Sequence, residues 1–313
     1  MFRPNLTFVA VLAAVLSAFG CDPKATTPVA SSPAASSSVA SSPTAVEAKA
    51  TGSRVTINGM QLYYEVSGHG DPVIVLHGAY MNIPSMGAII PKLAKTHKVY
   101  ALELQGHGRT TDIDRPITYP NLADDVAAFM GAVGLQKADV FGYSVGAVVG
   151  LQLAIRHPAK IGKLAAASVA YDVEGWQPEF KAIIPQLSVQ MMVNTPFEKD
   201  YRKLAPNPNG FAELARKLIA LEKEPMAWEK DVKQLKLPVL IITSDHDVAT
   251  LEHSVAMFRR LGGVGMGDMG KPLPTARLAV LPATSHTAII TQPDLLLAFI
   301  EPFLKGETPK GMF

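Results

Sequence analysis

The chain has 313 residues, 48% of them hydrophobic and 18% charged, with a formal net charge of +2. That supplies enough apolar side chain for a large core and lacks the basic excess that nucleic-acid binding requires. A single cysteine excludes an intramolecular disulfide and a structural metal site built on thiolates.

Met1-Phe2-Arg3 is a short basic start, Leu6 to Phe19 is an apolar stretch too short to span a bilayer comfortably, and small residues then lead to Cys21. Residues 1–21 therefore read as a secretory signal. Ser17-Ala18-Phe19-Gly20-Cys21 resembles a bacterial lipobox, with Ala18 and Phe19 departing from the usual pattern. The resemblance implies lipidation of Cys21 and an exported protein: a cell-envelope lipoprotein, or a periplasmic or secreted one. Residues 22–52 are nearly all Ala, Ser, Thr, Pro and Val, with too few large apolar side chains to offset the entropy of ordering. They are expected to form a disordered linker that tethers a soluble domain near a membrane.

From Val55 onward, strand-like and helix-like runs alternate, the pattern of a parallel sheet covered by helices. VTINGMQLYYEVSG predicts an opening hairpin turning at Asn58-Gly59. VIVL (73–76), VYALEL (99–104), ADVF (138–141), LAAASV (164–169), VLIIT (239–243) and RLAVL (277–281) read as short buried strands. Ligand sites in such sheets lie beyond the carboxyl ends of the strands. There the sequence places His77-Gly78-Ala79-Tyr80 after VIVL, Ser244-Asp245-His246-Asp247 after VLIIT, and Ser285-His286 shortly after RLAVL.

ADVF is followed by Gly142-Tyr143-Ser144-Val145-Gly146 and then by VGAVVGLQLAIR, a strand, sharp turn and helix in succession. A nucleophile at the tip of such a turn has a strained backbone, and small neighbours leave room for the helix. The helix start supplies free N–H groups for a developing oxyanion, Val145 first among them.

His77-Gly78, Gly106-His107-Gly108-Arg109, GYSVG, SDHD and SH, in this order and each after a predicted strand, resemble the α/β-hydrolase superfamily over roughly residues 53–305. The resemblance implies a mostly parallel, doubly wound α/β sheet with a helical cap insertion. Its core would span 53–170 and 236–306, and its cap 171–235. It also implies Ser144 as nucleophile, His286 as general base and Asp247 as the orienting carboxylate, with Asp245 as the competing acid, and it assigns Ala79 beside Val145 to the oxyanion hole. In the superfamily the rings of His77 and His107 serve mainly as scaffolding.

The stretch between LAAASV and VLIIT is rich in aromatic and methionine residues, as expected of a cap that excludes water and shapes an apolar pocket. Tyr80, Tyr143, Trp176, Met191 and Met192 are the expected pocket residues. GGVGMGDMGKPLPT (262–275) reads as a mobile surface loop, since it lacks the ending of a phosphate-binding loop.

The expected function is a serine hydrolase without cofactor or metal, cleaving a small to medium apolar ester or lactone. A carbon–carbon bond hydrolase, a perhydrolase or haloperoxidase, and a ligand receptor on the same fold remain open. A small-molecule ester is the expected partner, and the oligomeric state is not encoded in any motif.

Overall fold

The computed structural model describes residues 50–266 and 273–308. The signal, Cys21, the linker up to residue 49 and the centre of the 262–275 loop lie outside the described residues. Thr51 and Gly52, expected in the linker, already belong to the first strand, which begins at Thr51.

Eight strands form one sheet: β1 (Thr51–Ile57), β2 (Met60–Ser67), β3 (Pro72–Leu76), β4 (Lys98–Leu102), β5 (Ala138–Tyr143), β6 (Ile161–Ala167), β7 (Val239–His246) and β8 (Arg277–Ser285). Their order is β1-β2-β4-β3-β5-β6-β7-β8. The pairings β1–β2 and β2–β4 are antiparallel and the rest parallel, so one crossover, from β3 to β4 and back to β5, reverses the direction of winding. The opening hairpin turns where the sequence predicts it. Asn58 and Gly59 both adopt positive φ, 46° and 83°, as a tight two-residue hairpin turn demands.

Alternation along the strands divides the core into two layers. Ile74, Leu76, Tyr100, Leu102 and Val140 enter one apolar cluster, while Val73, Val75, Val99, Ala101 and Phe141 enter the other. The helices α1 (Ile89–Leu93), α2 (Tyr119–Ala132) and α3 (Val145–Arg156) cover these faces. The first cluster holds the apolar faces of α2 and α3, and the second holds α1 and the last helix.

Between β6 and β7 the chain forms α4 (Pro178–Ile183), α5 (Val189–Met192), α6 (Pro196–Leu204), α7 (Phe211–Glu222) and α8 (Glu229–Val232). These lie against the carboxyl edge of the sheet. Lys217 of α7 donates to Asp112 Oδ2 and the Ile113 carbonyl, each at 2.7 Å, in the loop after β4. After β7 come α9 (Leu251–Arg260), β8 and α10 (Pro293–Leu304). No helix among the described residues is long and apolar enough to cross a membrane.

β5 runs two residues past its expected end, and β7 and β8 run further still. β7 continues to His246 and β8 to Ser285, because the ladder resumes with His246 opposite Ser285 after a register shift. The irregularity falls just before Asp247 and His286, where it re-aims the chain.

Candidate active site

Ser144 stands between β5 and α3 with φ 54° and ψ −121°, a strained conformation for a residue with a Cβ. The turn is tight because the start of α3 is laid directly on neighbouring backbone. A Cβ on Gly142 would run into the Gly146 carbonyl, and one on Gly146 into the carbonyl oxygens of Leu76 and His77. Glycine at both positions is therefore a requirement of packing.

The same close approach brings two loops together. Leu76 pairs with Gly142 in the sheet, so Ala79 and Val145 each stand three residues beyond a paired position at one edge. Neither amide donates to a protein acceptor among the described residues. Free N–H groups at a helix start and in an adjacent turn can receive an anionic oxygen.

His77 and His107 brace this edge as neutral rings. His77 Nδ1 donates to the Gly78 carbonyl at 2.8 Å while its Nε2 accepts from Leu104 N–H at 3.1 Å. His107 Nδ1 donates to the Gln105 carbonyl at 2.9 Å and its Nε2 accepts from Tyr80 N–H at 3.2 Å. Burial pushes their pKa values down to about 3 and about 4, so both stay uncharged at neutral pH. Glu103 anchors the turn from beneath. Fully buried, it accepts from the backbone of Ile83 and Arg109 and pairs with the Arg109 guanidinium at 3.3 Å.

At the ends of β7 and β8, Asp247 Oδ1 and His286 Nδ1 lie 2.8 Å apart. Asp247 is buried, which by itself would raise its pKa. Hydrogen bonds from His286, from Ser168 and from Val248 N–H at 2.7 Å outweigh that cost and hold its carboxyl below the usual value. Thr243 Oγ1 and Ser244 N–H add longer contacts to the other oxygen, at 3.3 and 3.4 Å. Asp245 is turned elsewhere. Its two oxygens accept from Ala283 and Thr284 N–H at 2.7 and 2.9 Å, fixing the turn that precedes His286.

Ser168, at the end of β6, is the residue that sequence reasoning missed. Its Oγ donates to Asp247 Oδ1 at 2.6 Å and lies 2.7 Å from His286 Nδ1, with the backbone at φ 59°. The rule that singled out the carboxyl ends of other strands applies equally to LAAASV, whose fifth residue it is.

The expected pocket residues divide. Tyr80 is half-buried, its ring 5.5 Å from that of Phe197 and 6.3 Å from that of Phe211. Tyr143 departs from expectation. Its ring is buried in the core beneath Gly78, and its hydroxyl donates to the His286 carbonyl at 2.9 Å, so it positions His286 from below. The cause is the pleat: successive residues at the end of β5 point to opposite faces, and Tyr143 faces the core. Trp176 and Met192 are buried in the larger apolar cluster, Trp176 against Phe180, whereas Met191 is half-buried. Among the described residues no group of three or more His, Cys, Asp or Glu side chains could hold a metal ion.

Comparison with known proteins bears on the fold. A family profile described as the alpha/beta hydrolase fold matches residues 71–188. The pimeloyl-[acyl-carrier protein] methyl ester esterase of Aeromonas hydrophila is 26% identical over 272 residues, covering 78% of this chain and 100% of the esterase. Among solved structures, an alpha/beta hydrolase enzyme from a Medee basin deep-sea metagenome library superimposes with a TM-score of 0.66 at 20% identity. It covers 83% of this chain and 100% of its own. The enol-lactonase of Burkholderia xenovorans does so with a TM-score of 0.61 at 19% identity, covering 81% and 100%.

Proposed function

We propose that this chain of α/β-hydrolase fold is an ester-cleaving hydrolase, a carboxylesterase that works through an acyl-enzyme on Ser144. The single observation that carries the proposal is the 2.8 Å contact between buried Asp247 and His286 Nδ1.

That contact decides the tautomer. With Nδ1–H donated to a carboxylate, the lone pair of the imidazole is on Nε2, where it can take the Ser144 proton. Ser144 Oγ attacks the ester carbonyl, and charge moves onto the carbonyl oxygen. The Ala79 and Val145 amides are free to receive it. Collapse of the tetrahedral intermediate breaks the ester C–O bond, and the alcohol leaves with the proton held by His286. Water, deprotonated by the same imidazole, then releases the acid and restores Ser144.

The Asp247 charge stabilises the imidazolium that forms in each step, and Ser168 keeps that carboxylate in place. A small to medium, apolar ester or lactone suits the aromatic side chains of Phe197 and Phe211 that pack on Tyr80 beside the turn carrying Ala79. The methyl ester esterase of A. hydrophila and the enol-lactonase of B. xenovorans support that substrate class.

The test is release of p-nitrophenol from acetate, butyrate and octanoate esters by the full chain, with Ser144→Ala alongside. Turnover that vanishes in the variant is expected, with the chain-length profile sizing the pocket. Equal turnover by both proteins would remove Ser144 from the mechanism.

A further inference from the structure

Ala79 and Tyr80 are the two central residues of a turn closed by Met81 N–H to the Gly78 carbonyl at 3.3 Å. Tyr80 has φ 60° at a position that glycine ordinarily fills in a turn of this sign, so the turn keeps its shape only while its surroundings hold it. Part of that hold comes from α7. Phe211, Leu214 and Lys217 follow one another at intervals of three and share one face of the helix. The Phe211 ring lies 6.3 Å from that of Tyr80. A Cβ on Gly106 would stand 3.2 Å from Leu214 Cδ1, so this leucine rests on the backbone between Gln105 and His107. Lys217, itself buried, reaches Asp112 Oδ2 at 2.7 Å.

From Lys217 the hydrogen bonds continue without a break to the turn. Asp112 Oδ1 accepts from Gln105 Nε2 at 2.9 Å, and the Gln105 carbonyl accepts from His107 Nδ1 at 2.9 Å. His107 Nε2 then accepts from Tyr80 N–H at 3.2 Å. Gln105 and His107 are both buried, so each keeps its partners where water cannot replace them. Arg115, paired with Asp125, holds the side-chain oxygen of Gln105. The link that depends on α7 is therefore the one through Asp112.

We infer that Lys217 is a positioning residue for the oxyanion hole: by fixing Asp112 it holds Gln105, His107 and the Tyr80 amide in place, and with them the aim of the Ala79 N–H. The inference rests on the hydrolase reading above. It gives one residue of the inserted segment a part in catalysis, separate from the segment's part in substrate choice. Removing an oxyanion-hole donor outright costs about 10²- to 10³-fold in kcat, and a donor that stays but is poorly aimed costs less.

The experiment measures kcat and KM on p-nitrophenyl butyrate, and inhibition by 1,1,1-trifluoro-2-hexanone, for the full chain, Lys217→Met and Lys217→Arg. The ketone carbonyl takes up Ser144 Oγ, the hydroxyl proton passes to His286, and the hemiketal oxygen carries the negative charge that the Ala79 and Val145 amides receive. Lys217→Met is expected to lower kcat about tenfold and to raise the ketone's Ki by a similar factor, with KM within about twofold. Lys217→Arg, which keeps the charge, should restore most of both. In a His107→Phe background, where the last link is already cut, Lys217→Met should cost less than about twofold further. If Lys217→Met does not fold, Asp112→Asn carries the same readout, because its single side-chain oxygen cannot serve both Lys217 and Gln105. Unchanged kcat and Ki in a folded variant would overturn the inference and leave the hydrolase reading standing. A rise in KM alone would overturn it too, making Lys217 part of the pocket wall. No wild-type turnover of the ester and no inhibition by the ketone would overturn both.

Discussion

Ser168 donates its hydroxyl to Asp247 at 2.6 Å while lying 2.7 Å from His286 Nδ1, so one side chain touches both members of the acid–imidazole pair. Removing it leaves the pair intact but less constrained. Ser168→Ala is expected to lower kcat about tenfold with little change in KM, since the lost hydrogen bond matters most when the imidazolium forms. Steady-state kinetics on a p-nitrophenyl ester reads this directly, and a change in KM alone would show that Ser168 shapes the pocket instead.

Ser144 combines the reactive hydroxyl with a strained backbone, and the two can be separated. Ser144→Ala keeps the strain and should abolish turnover with the thermal transition nearly unchanged. Ser144→Gly should also be inactive yet gain about 1 kcal/mol of stability, because glycine adopts φ 54° with little penalty. Thermal denaturation of both variants distinguishes the cost of the turn from the chemistry of the side chain.

The two carboxylates after β7 differ in what they hold. Asp247→Asn disturbs the tautomer of His286 and is expected to lower kcat by about 10³- to 10⁴-fold. Asp245→Asn loosens the Ala283–Thr284 turn and should lower the melting temperature with a much smaller kinetic loss. The reverse ranking in kcat would reassign the acid.

His77 and His107 bind a proton more readily in the unfolded chain than in the fold, where their pKa values are depressed to about 3 and about 4. Their neutral state carries no penalty above the unfolded value of about 6.5. As pH falls below it, the unfolded chain takes up protons that the fold refuses. Each ring then removes up to about 1.4 kcal/mol of stability per pH unit until its folded pKa is reached. Melting temperature should therefore fall steadily from pH 6.5 towards pH 4. His107→Gln, which keeps a neutral ring-sized polar group, should flatten that slope.

Cys21 lies outside the described residues, and its lipidation is a proposal from sequence. Cys21→Ser should move the protein from the membrane fraction to the soluble one, as read by fractionation of the expressing cells.

The succession of strands along the chain could be read from sequence because short apolar runs and turn residues report local structure, whereas Ser144, Asp247 and His286 were singled out by the resemblance to the α/β-hydrolase superfamily. Asn58-Gly59 and the two glycines of GYSVG are demanded by backbone geometry alone. Lys217 could not be read that way. In FAELARKLIALE it looks like part of the solvated face of an amphipathic helix, and only the docking of α7 turns it toward Asp112. Tyr143 was misjudged for a related reason: its neighbour Ser144 is only half-buried, but the pleat sends the tyrosine ring into the core.

The inserted helices leave from β6 and return to β7, and those two strands are direct neighbours in the sheet. Ser144, Ser168, Asp247 and His286 all stand on strand-end turns outside the segment between Asp172 and Leu237, and that segment is pinned beside Asp247 by Gln177 N–H to the Val248 carbonyl and Thr250 N–H to the Gly175 carbonyl, each at 2.8 Å. Beyond those anchoring residues, and with Lys217 kept, the segment can be lengthened, shortened or exchanged without altering any pairing of the eight strands. Catalytic competence and substrate preference are thus separately heritable in this chain, and grafting the insertion of a relative onto the sheet is a direct route to new substrates.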